Sequence, residues 1–328
     1  MRAMLCKAYG PPESLVFEDF ETSPVGPRDV RVAVHACGVN FPDVLIIEGK
    51  YQFKPPMPFA PGAEVAGEVI ETGAEVEDVA RGDRVIAMTG WNGFAEEVVV
   101  PAEKCLKMPS SMSYEVGAGF PMVYGTSYHA LVQRGRIREG ETLLVHGATG
   151  GVGTAAIEIG LCLGAKIIAS GGKADKLAKL REIYGIEHTV DTLADAPIKE
   201  KVKALTGGAG ADVIYDAVGG ELFEQSLRCI AWDGRLLVVG FAGGTIPQAK
   251  ANLVLLKGCS IVGVFWGAFT AREPAQNREN FDQLFAWYEE GKLRPHISHR
   301  FPLERAAEAL QALIHREVVG KAVLTVAR

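Results

Sequence analysis

The stretch Leu143–Gly160, "LLVHGATGGVGTAAIEIG", decides the fold. An apolar run ends at His146, and Gly147, Gly150, Gly151 and Gly153 then crowd a turn into a helical segment. Glycines there permit positive φ angles and the close approach of a pyrophosphate. The helix N-terminus offers unpaired N–H groups and a partial positive charge to that anion. The spacing is A-x-G-G-V-G, opened by Ala148, rather than G-x-G-x-x-G. A tight packing turn is the other reading, since glycine-rich turns are common. What favours a dinucleotide is the position of the turn between a strand and a helix. Thr149, Gly150, Gly151, Val152 and Gly153 are the candidate phosphate contacts.

Strands and helices alternate beyond that turn. "KIIAS" (Lys166–Ser170), "HTVD", "ADVIYDAV" and "GRLLVVGF" have strand character, and "CSIVGVFWG" (Cys259–Gly267) supplies one more strand. Helical segments separate most of them; in "KADKLAKLREIYG" the apolar residues Leu177, Leu180 and Ile183 have helical spacing. Such alternation predicts right-handed β-α-β units and a doubly wound parallel sheet. The first third is different. "VRVAVHACGV" (Val30–Val39), "EVAGEVIETG" (Glu64–Gly73), "DRVIAMT" (Asp83–Thr89) and "GFAEEVVVP" (Gly93–Pro101) are short β-branched runs parted by Gly and Pro. "NFPDVLIIEGKY" inserts one short helix and a loop. The tail carries two amphipathic helices, near Asn277–Glu290 and Leu303–His315, and a final strand, "GKAVLTVA", that returns to the first module. The predicted domains are residues 1–124 completed by 266–328, and 125–265.

The chain has 328 residues, a formal net charge of −6 and 48% hydrophobic residues, enough for about two domains with large cores. Its 23% charged residues do not point to disorder. Mild acidity argues against a nucleic-acid binder, which would show a basic stripe. Six scattered cysteines with no C-x-x-C suit a reducing compartment. The start, "MRAMLCKAYGPPESLVFEDF", has no long apolar core, so neither a signal peptide nor a membrane span is expected, and the expected location is the cytoplasm.

The second strand of a dinucleotide fold meets the adenosine ribose, and an acid at its end selects a free 2′-hydroxyl. Here the strand ends "IIASGGKADK": Ser170, two glycines, then Lys173 and Lys176, with Asp175 well past the strand. A hydroxyl and ammonium groups suit a 2′-phosphate, which predicts NADPH over NADH. The alternative is that the two lysines are simply the solvated face of a helix, so Ser170 carries more of this expectation.

The set "GVNFPD", "PGAEVAG" and "LVHGATGGVG", with "HACGVNFPDVLIIEGKY", "PFAPGAEVAGEV", "GDRVIAM", "GRLLVVGF" and "GKAVLTV", resembles the medium-chain dehydrogenase/reductase superfamily along nearly the whole chain. More narrowly it is similar to the zeta-crystallin-like quinone oxidoreductases. The resemblance implies an α/β architecture, a GroES-like β domain plus a Rossmann domain. It also implies where a catalytic zinc would lie in the zinc-dependent branch: at positions matching Asn40, Ala63 and Met122. Those side chains do not rebuild a zinc site, which wants three N, S or O ligands and an open position. The cysteine-rich lobe for a structural zinc is also missing, with Cys105 standing alone there, so no metal is expected. A metal stabilises the alkoxide of a plain alcohol. A quinone or enone spreads incoming charge over its π system, and hydrogen-bond donors such as Asn40 and Tyr51 then suffice.

The resemblance therefore implies a zinc-free, NADPH-dependent reductase acting on a conjugated small molecule in the cleft between domains, with a quinone as the leading acceptor. An enoyl-thioester or 2-alkenal reductase is the alternative, and a nucleotide-binding regulatory or structural protein with little turnover is an alternative of another class. Asn40, Asp43 and Tyr51 are the candidate catalytic residues; Asn40 and Asp43 also read as a helix N-cap and first-turn acid. A second family tyrosine would fall at Leu45. Glu64, beside the lost histidine, reads as a buried hydrogen-bond acceptor. Thr126, Phe241, Phe265 and Trp266 match positions lining the nicotinamide half, although Thr126 also reads as a cap and Phe265 and Trp266 as core. Thr192 falls near the adenine, where relatives carry an aromatic ring, and Lys321 matches a lysine reaching the cofactor or is simply solvated. None of the seven histidines pairs with Ser or Cys at nucleophile spacing. A homodimer is expected, with "CSIVGVFWG" pairing across a two-fold axis; no nucleic-acid or membrane partner is expected.

Overall fold

The computed structural model describes residues 1–194 and 196–327. The chain begins with β1 (Arg2–Leu5), β2 (Val16–Asp19), β3 (Asp29–Val39), α1 (Phe41–Ile47), β4 (Glu64–Thr72), β5 (Arg84–Met88), β6 (Glu97–Pro101), β7 (Cys105–Lys107), α2 (Tyr114–Ala118) and α3 (Pro121–Tyr128). It continues through β8 (Thr142–His146), α4 (Gly151–Cys162), β9 (Lys166–Gly171), α5 (Ala174–Tyr184), β10 (His188–Asp191), α6 (Ile198–Leu205), β11 (Ala211–Asp216), α7 (Glu221–Cys229) and β12 (Ile230–Val238). Then follow α8 (Ala251–Lys257), β13 (Ser260–Gly263), α9 (Trp266–Arg272), α10 (Pro274–Glu289), β14 (Ile297–Pro302), α11 (Ala306–Ile314) and β15 (Lys321–Thr325). Two compact units result: Met1–Met122 with the chain from Pro295 onward, and Val123–Arg294.

The first unit is built on a sheet of order β14-β15-β3-β4-β5-β7, with β6 also paired to β3. In β3 Val30, Val32 and Val34 supply alternating apolar side chains and Cys37 follows past a register shift, all buried with Val65, Val85 and Val98. Each fully buried valine contributes roughly 1.5–3 kcal/mol. The last strand does return to this module: β15 pairs antiparallel with β3, Ala322 opposite Val39. That register brings Lys321, near the end of the chain, beside the start of α1.

The second unit holds a six-stranded sheet, order β10-β9-β8-β11-β12-β13, every pair parallel. β8 is buried from Leu143 to His146, as a strand covered by helices on both faces must be. Strand order reverses between β8 and β11, and the crevice at such a point takes ligands outside the carboxyl ends of the strands. In register at those ends stand Ser170, His146 and Asp216.

Two expectations are corrected. The second unit does not end at residue 265 but at Arg294, because α9 and α10 pack within it. Trp266 Nε1 donates to Asn277 Oδ1 at 3.0 Å, its ring meets that of Phe281, and Gln133 Nε2 donates to Asn280 Oδ1 at 2.8 Å. The strand expected through Gly267 stops at Gly263, and Phe265 caps a helix instead. Among the described residues no helix is long and apolar enough to cross a membrane.

Candidate functional site

In the second unit, Gly147 leaves β8 at φ +65°, a conformation that costs other L residues energy. Gly150 then caps α4 with extended backbone and no side-chain cap. The N–H groups of Gly151, Val152 and Gly153 lie in the first turn, where a helix has no internal acceptors to give them. Gly153 is buried beneath the turn: a Cβ there would fall 2.3 Å from the Gly147 carbonyl oxygen. Thr149, Gly150, Gly151 and Val152 reach the surface in part. The residues present therefore fit a dinucleotide's pyrophosphate: a cradle without side chains, facing the positive end of a twelve-residue helix.

Two residues that the sequence reading missed hold this cradle. Asp216 Oδ1 accepts the N–H groups of Val218 and Gly219, both at 2.9 Å, and so fixes the loop beyond β11. An aspartate at a strand end before two glycines, "YDAVGG", was the available signal. Ser127 Oγ donates to the Val152 carbonyl at 2.9 Å and lies 2.9 Å from the Tyr215 hydroxyl, tying α3 to the first turn of α4. Its neighbour Thr126 is half-buried on α3.

Several candidate cofactor contacts take other roles. Ser170 is fully buried; its Oγ lies 2.6 Å from His146 Nδ1 and 3.2 Å from the Val145 carbonyl, so it faces the interior, not a ribose phosphate. The other ring nitrogen, His146 Nε2, lies 2.8 Å from Ser226 Oγ, which donates to the Leu222 carbonyl at 2.7 Å. This imidazole therefore bridges two serines, and burial pushes its pKa down, against the opposing pull of the Asp216 charge. Lys176 is buried as well, which corrects its reading as a solvated lysine, whereas Lys173 stays exposed at the start of α5. Trp266 is buried against Gly125, where a Cβ would come within 2.5 Å of the indole, so it packs α3. Phe241 and Phe265 are exposed, at 40% and 55%. Thr192 donates its backbone N–H to the Gly171 carbonyl at 2.9 Å, beside the end of β9.

In the first unit a buried polar cluster surrounds the N-terminus of α1. Asp43 accepts the backbone N–H of Asn40 at 2.8 Å and that of Gly62 at 3.1 Å. Burial raises its pKa to about 7 despite those bonds and the nearby Lys321 charge. The Asn40 side chain turns inward: Nδ2 donates to Glu64 Oε1 at 2.7 Å, and Oδ1 accepts from Lys321 Nζ at 2.6 Å. Lys321 Nζ also donates to Glu64 Oε1 at 2.9 Å and to the Val39 carbonyl at 3.0 Å. Its three hydrogens thus have three acceptors inside this unit, and the side chain is neither solvated nor extended toward a cofactor. Glu64 is fully buried and accepts the Met122 backbone N–H on Oε2 at 2.8 Å. Burial, then the Asp43 and Glu64 charges, push the Cys37 thiol well up, so it is inert. Tyr51 follows α1, half-buried with its ring tilted against Phe53, and burial raises its hydroxyl pKa.

A zinc ion does not fit here. Of the three positions that match ligands, Asn40 is engaged by Lys321 and Glu64, Ala63 has only a methyl, and Met122 offers a thioether. A buried ammonium, that of Lys321, already stands within hydrogen-bond distance of the Glu64 carboxylate. Among the described residues no group of three or more His, Cys, Asp and Glu is placed to hold a metal ion.

Comparison with known proteins agrees with both units. The family described as "Alcohol dehydrogenase GroES-like domain" matches residues 26–110, and that described as "Zinc-binding dehydrogenase" matches residues 151–289. A Nematostella vectensis protein named "Quinone oxidoreductase-like protein 2 homolog" is 44% identical, over 98% of this chain and 88% of its own length. A mycobacterial protein whose structure is complexed with NADPH superposes with a TM-score of 0.91 at 29% identity, covering 99% of each chain. The CurK enoyl reductase superposes at 0.90 and 25% identity, again over 99% of each. With a GroES-like unit, a Rossmann unit and a relative this similar along its length, the chain belongs to the medium-chain dehydrogenase/reductase family of oxidoreductases.

Proposed function

We propose that this oxidoreductase transfers hydride from NADPH to a conjugated acceptor, most simply a quinone, and does so without a metal. The observation that carries the reading is the Asn40–Glu64–Lys321 network, which fills with an ammonium and a carboxamide the place where a zinc enzyme of this fold needs ligands. The name of the Nematostella vectensis relative supports the quinone. The nicotinamide supplies the hydride when NADPH is bound. The first turn of α4 would hold its phosphates, and Asp216 keeps the loop beyond β11 in place. A carboxamide nitrogen carries two hydrogens. One from Asn40 goes to Glu64, and the other is the donor assigned here to the acceptor's oxygen, where charge develops as hydride arrives. Solvent or Tyr51 returns the proton that completes the reduction.

NADPH rather than NADH is supported by the absence of an acid in Ser170–Lys173, by exposed Lys173, and by the NADPH complex of the mycobacterial neighbour. Lys173 now carries this preference in place of Ser170. The enoyl reductase neighbour favours a second reading, reduction of an enoyl thioester or 2-alkenal on the same scaffold. A homodimer is part of the proposal: β13 is the sheet's last strand, and Trp232, Leu255 and Leu256 near it are 76%, 79% and 69% exposed. Six cysteines without a disulfide suit the cytoplasm as its location.

The test is steady-state NADPH oxidation against 1,4-naphthoquinones, crotonyl thioesters and alkenals. Preferred turnover of the quinones supports the leading reading, and preferred turnover of the thioesters or alkenals replaces it with the second. NADPH binding without oxidation across the panel makes the chain a nucleotide-binding regulator instead.

A further inference from the structure

We propose that Lys321 is a positioning residue: its ammonium, together with Glu64, fixes the carboxamide of Asn40 so that the side-chain NH₂ is held as a hydrogen-bond donor. The inference rests on the assignment of Asn40 as the donor to the acceptor. A free carboxamide exchanges its oxygen and nitrogen by a half-turn, and a donor that flips becomes an acceptor. Here Oδ1 faces Nζ at 2.6 Å while Nδ2 faces the Glu64 carboxylate at 2.7 Å. The flipped state would set NH₂ against an ammonium and oxygen against a carboxylate, two repulsive contacts in place of two charge-assisted bonds.

The surroundings strengthen that bias. Asn40, Glu64 and Lys321 are 7%, 0% and 5% exposed, and charges interact more strongly away from water. The other Glu64 oxygen is held by the Met122 N–H, and the third Lys321 hydrogen by the Val39 carbonyl, so neither charged group is free to swing. Lys321 is brought here by the pairing of β15 with β3, from 281 residues away in sequence.

The test uses the full chain and the variants N40A, K321M, K321M/N40A and E64Q/K321M. The double variant E64Q/K321M removes both charges and guards against a K321M protein that fails to fold around a lone carboxylate. Turnover of 1,4-naphthoquinone should fall about tenfold in K321M while the Kd for NADPH stays within about twofold, because a misdirected donor harms the reaction and not nucleotide binding. K321M should add nothing further to N40A, and E64Q/K321M should recover thermal stability without recovering turnover. A readout independent of activity is hydrogen exchange at the Asn40 side-chain amide, assigned by its loss from the ¹⁵N spectrum of N40A. It should be at least about tenfold faster in E64Q/K321M than in the wild type. Multiplying effects of K321M and N40A, restored turnover in E64Q/K321M, or unchanged amide exchange would each overturn the inference. A wild type that turns over no acceptor would instead sink the assigned reaction and leave the clamp to be decided by amide exchange.

Discussion

Substitution of Gly153 by alanine should weaken NADPH binding through the shape of the turn alone. The new Cβ would lie 2.3 Å from the Gly147 oxygen and 2.7 Å from Ala148 Cα, both backbone atoms that no rotamer change moves aside. The turn and the first turn of α4 must separate by roughly 1 Å to restore ordinary contact, and overpacking of this kind costs about 1–3 kcal/mol. Should that energy fall on the cofactor, whose phosphates need both segments in place, its Kd rises by about fivefold to 150-fold. The part that falls on folding lowers the melting temperature by about 2–4 °C per kcal/mol. Gly150→Ala is the control: its Cβ meets the Gly147 oxygen at 3.4 Å, an ordinary contact, so its melting temperature should match the wild type. Fluorescence titration with NADPH and thermal melts of both variants decide the matter. An unchanged melting temperature in Gly153→Ala, with NADPH bound within about twofold of wild type, would refute the reasoning.

Three more outcomes are expected. Ser170→Ala should leave the NADPH-to-NADH preference within about twofold and cost about 1–3 kcal/mol, because it strips a partner from a buried imidazole and not from the ribose; a collapse of the preference in steady-state kinetics would contradict this. Burial raises the pKa of Glu158 to about 7, above its usual 4.5. The folded state therefore holds a proton that the unfolded state has lost, and the stability this confers is complete below pH 4.5 and disappears as pH rises through about 7. Roughly 3 kcal/mol of pH dependence should vanish in Glu158→Gln, read from denaturant midpoints between pH 5 and 8. Leu255→Glu with Leu256→Glu should yield monomers in sedimentation equilibrium while the melting temperature holds, since both side chains are exposed on a single chain.

The glycine turn was legible because its chemistry is local: positive φ, a strand before it and a helix after it are all visible within Leu143–Gly160. The return of β15 was legible too, as an apolar strand at the end of the chain needs a sheet to join. Side-chain direction was not. Ser170 lies at the end of β9 as expected, yet its hydroxyl faces inward because His146, on the neighbouring strand, offers a buried partner. Lys321 looks like any surface lysine until β15 pairs with β3 and sets it against Glu64, 257 residues earlier. The boundary near residue 266 failed for the same reason: Trp266 packs on Gly125, a contact across 141 positions that no local pattern announces.

In the proposed reaction, conjugation in the acceptor, with Asn40 as donor, takes the place of a metal. Its most direct test is NADPH oxidation by 1,4-naphthoquinone with protein dialysed against a chelator and its metal content measured. The full rate is expected with zinc far below one equivalent, with no gain on adding it back. A rate that falls with the metal and returns with zinc, or oxidation of simple alcohols that appears only when zinc is supplied, would contradict it.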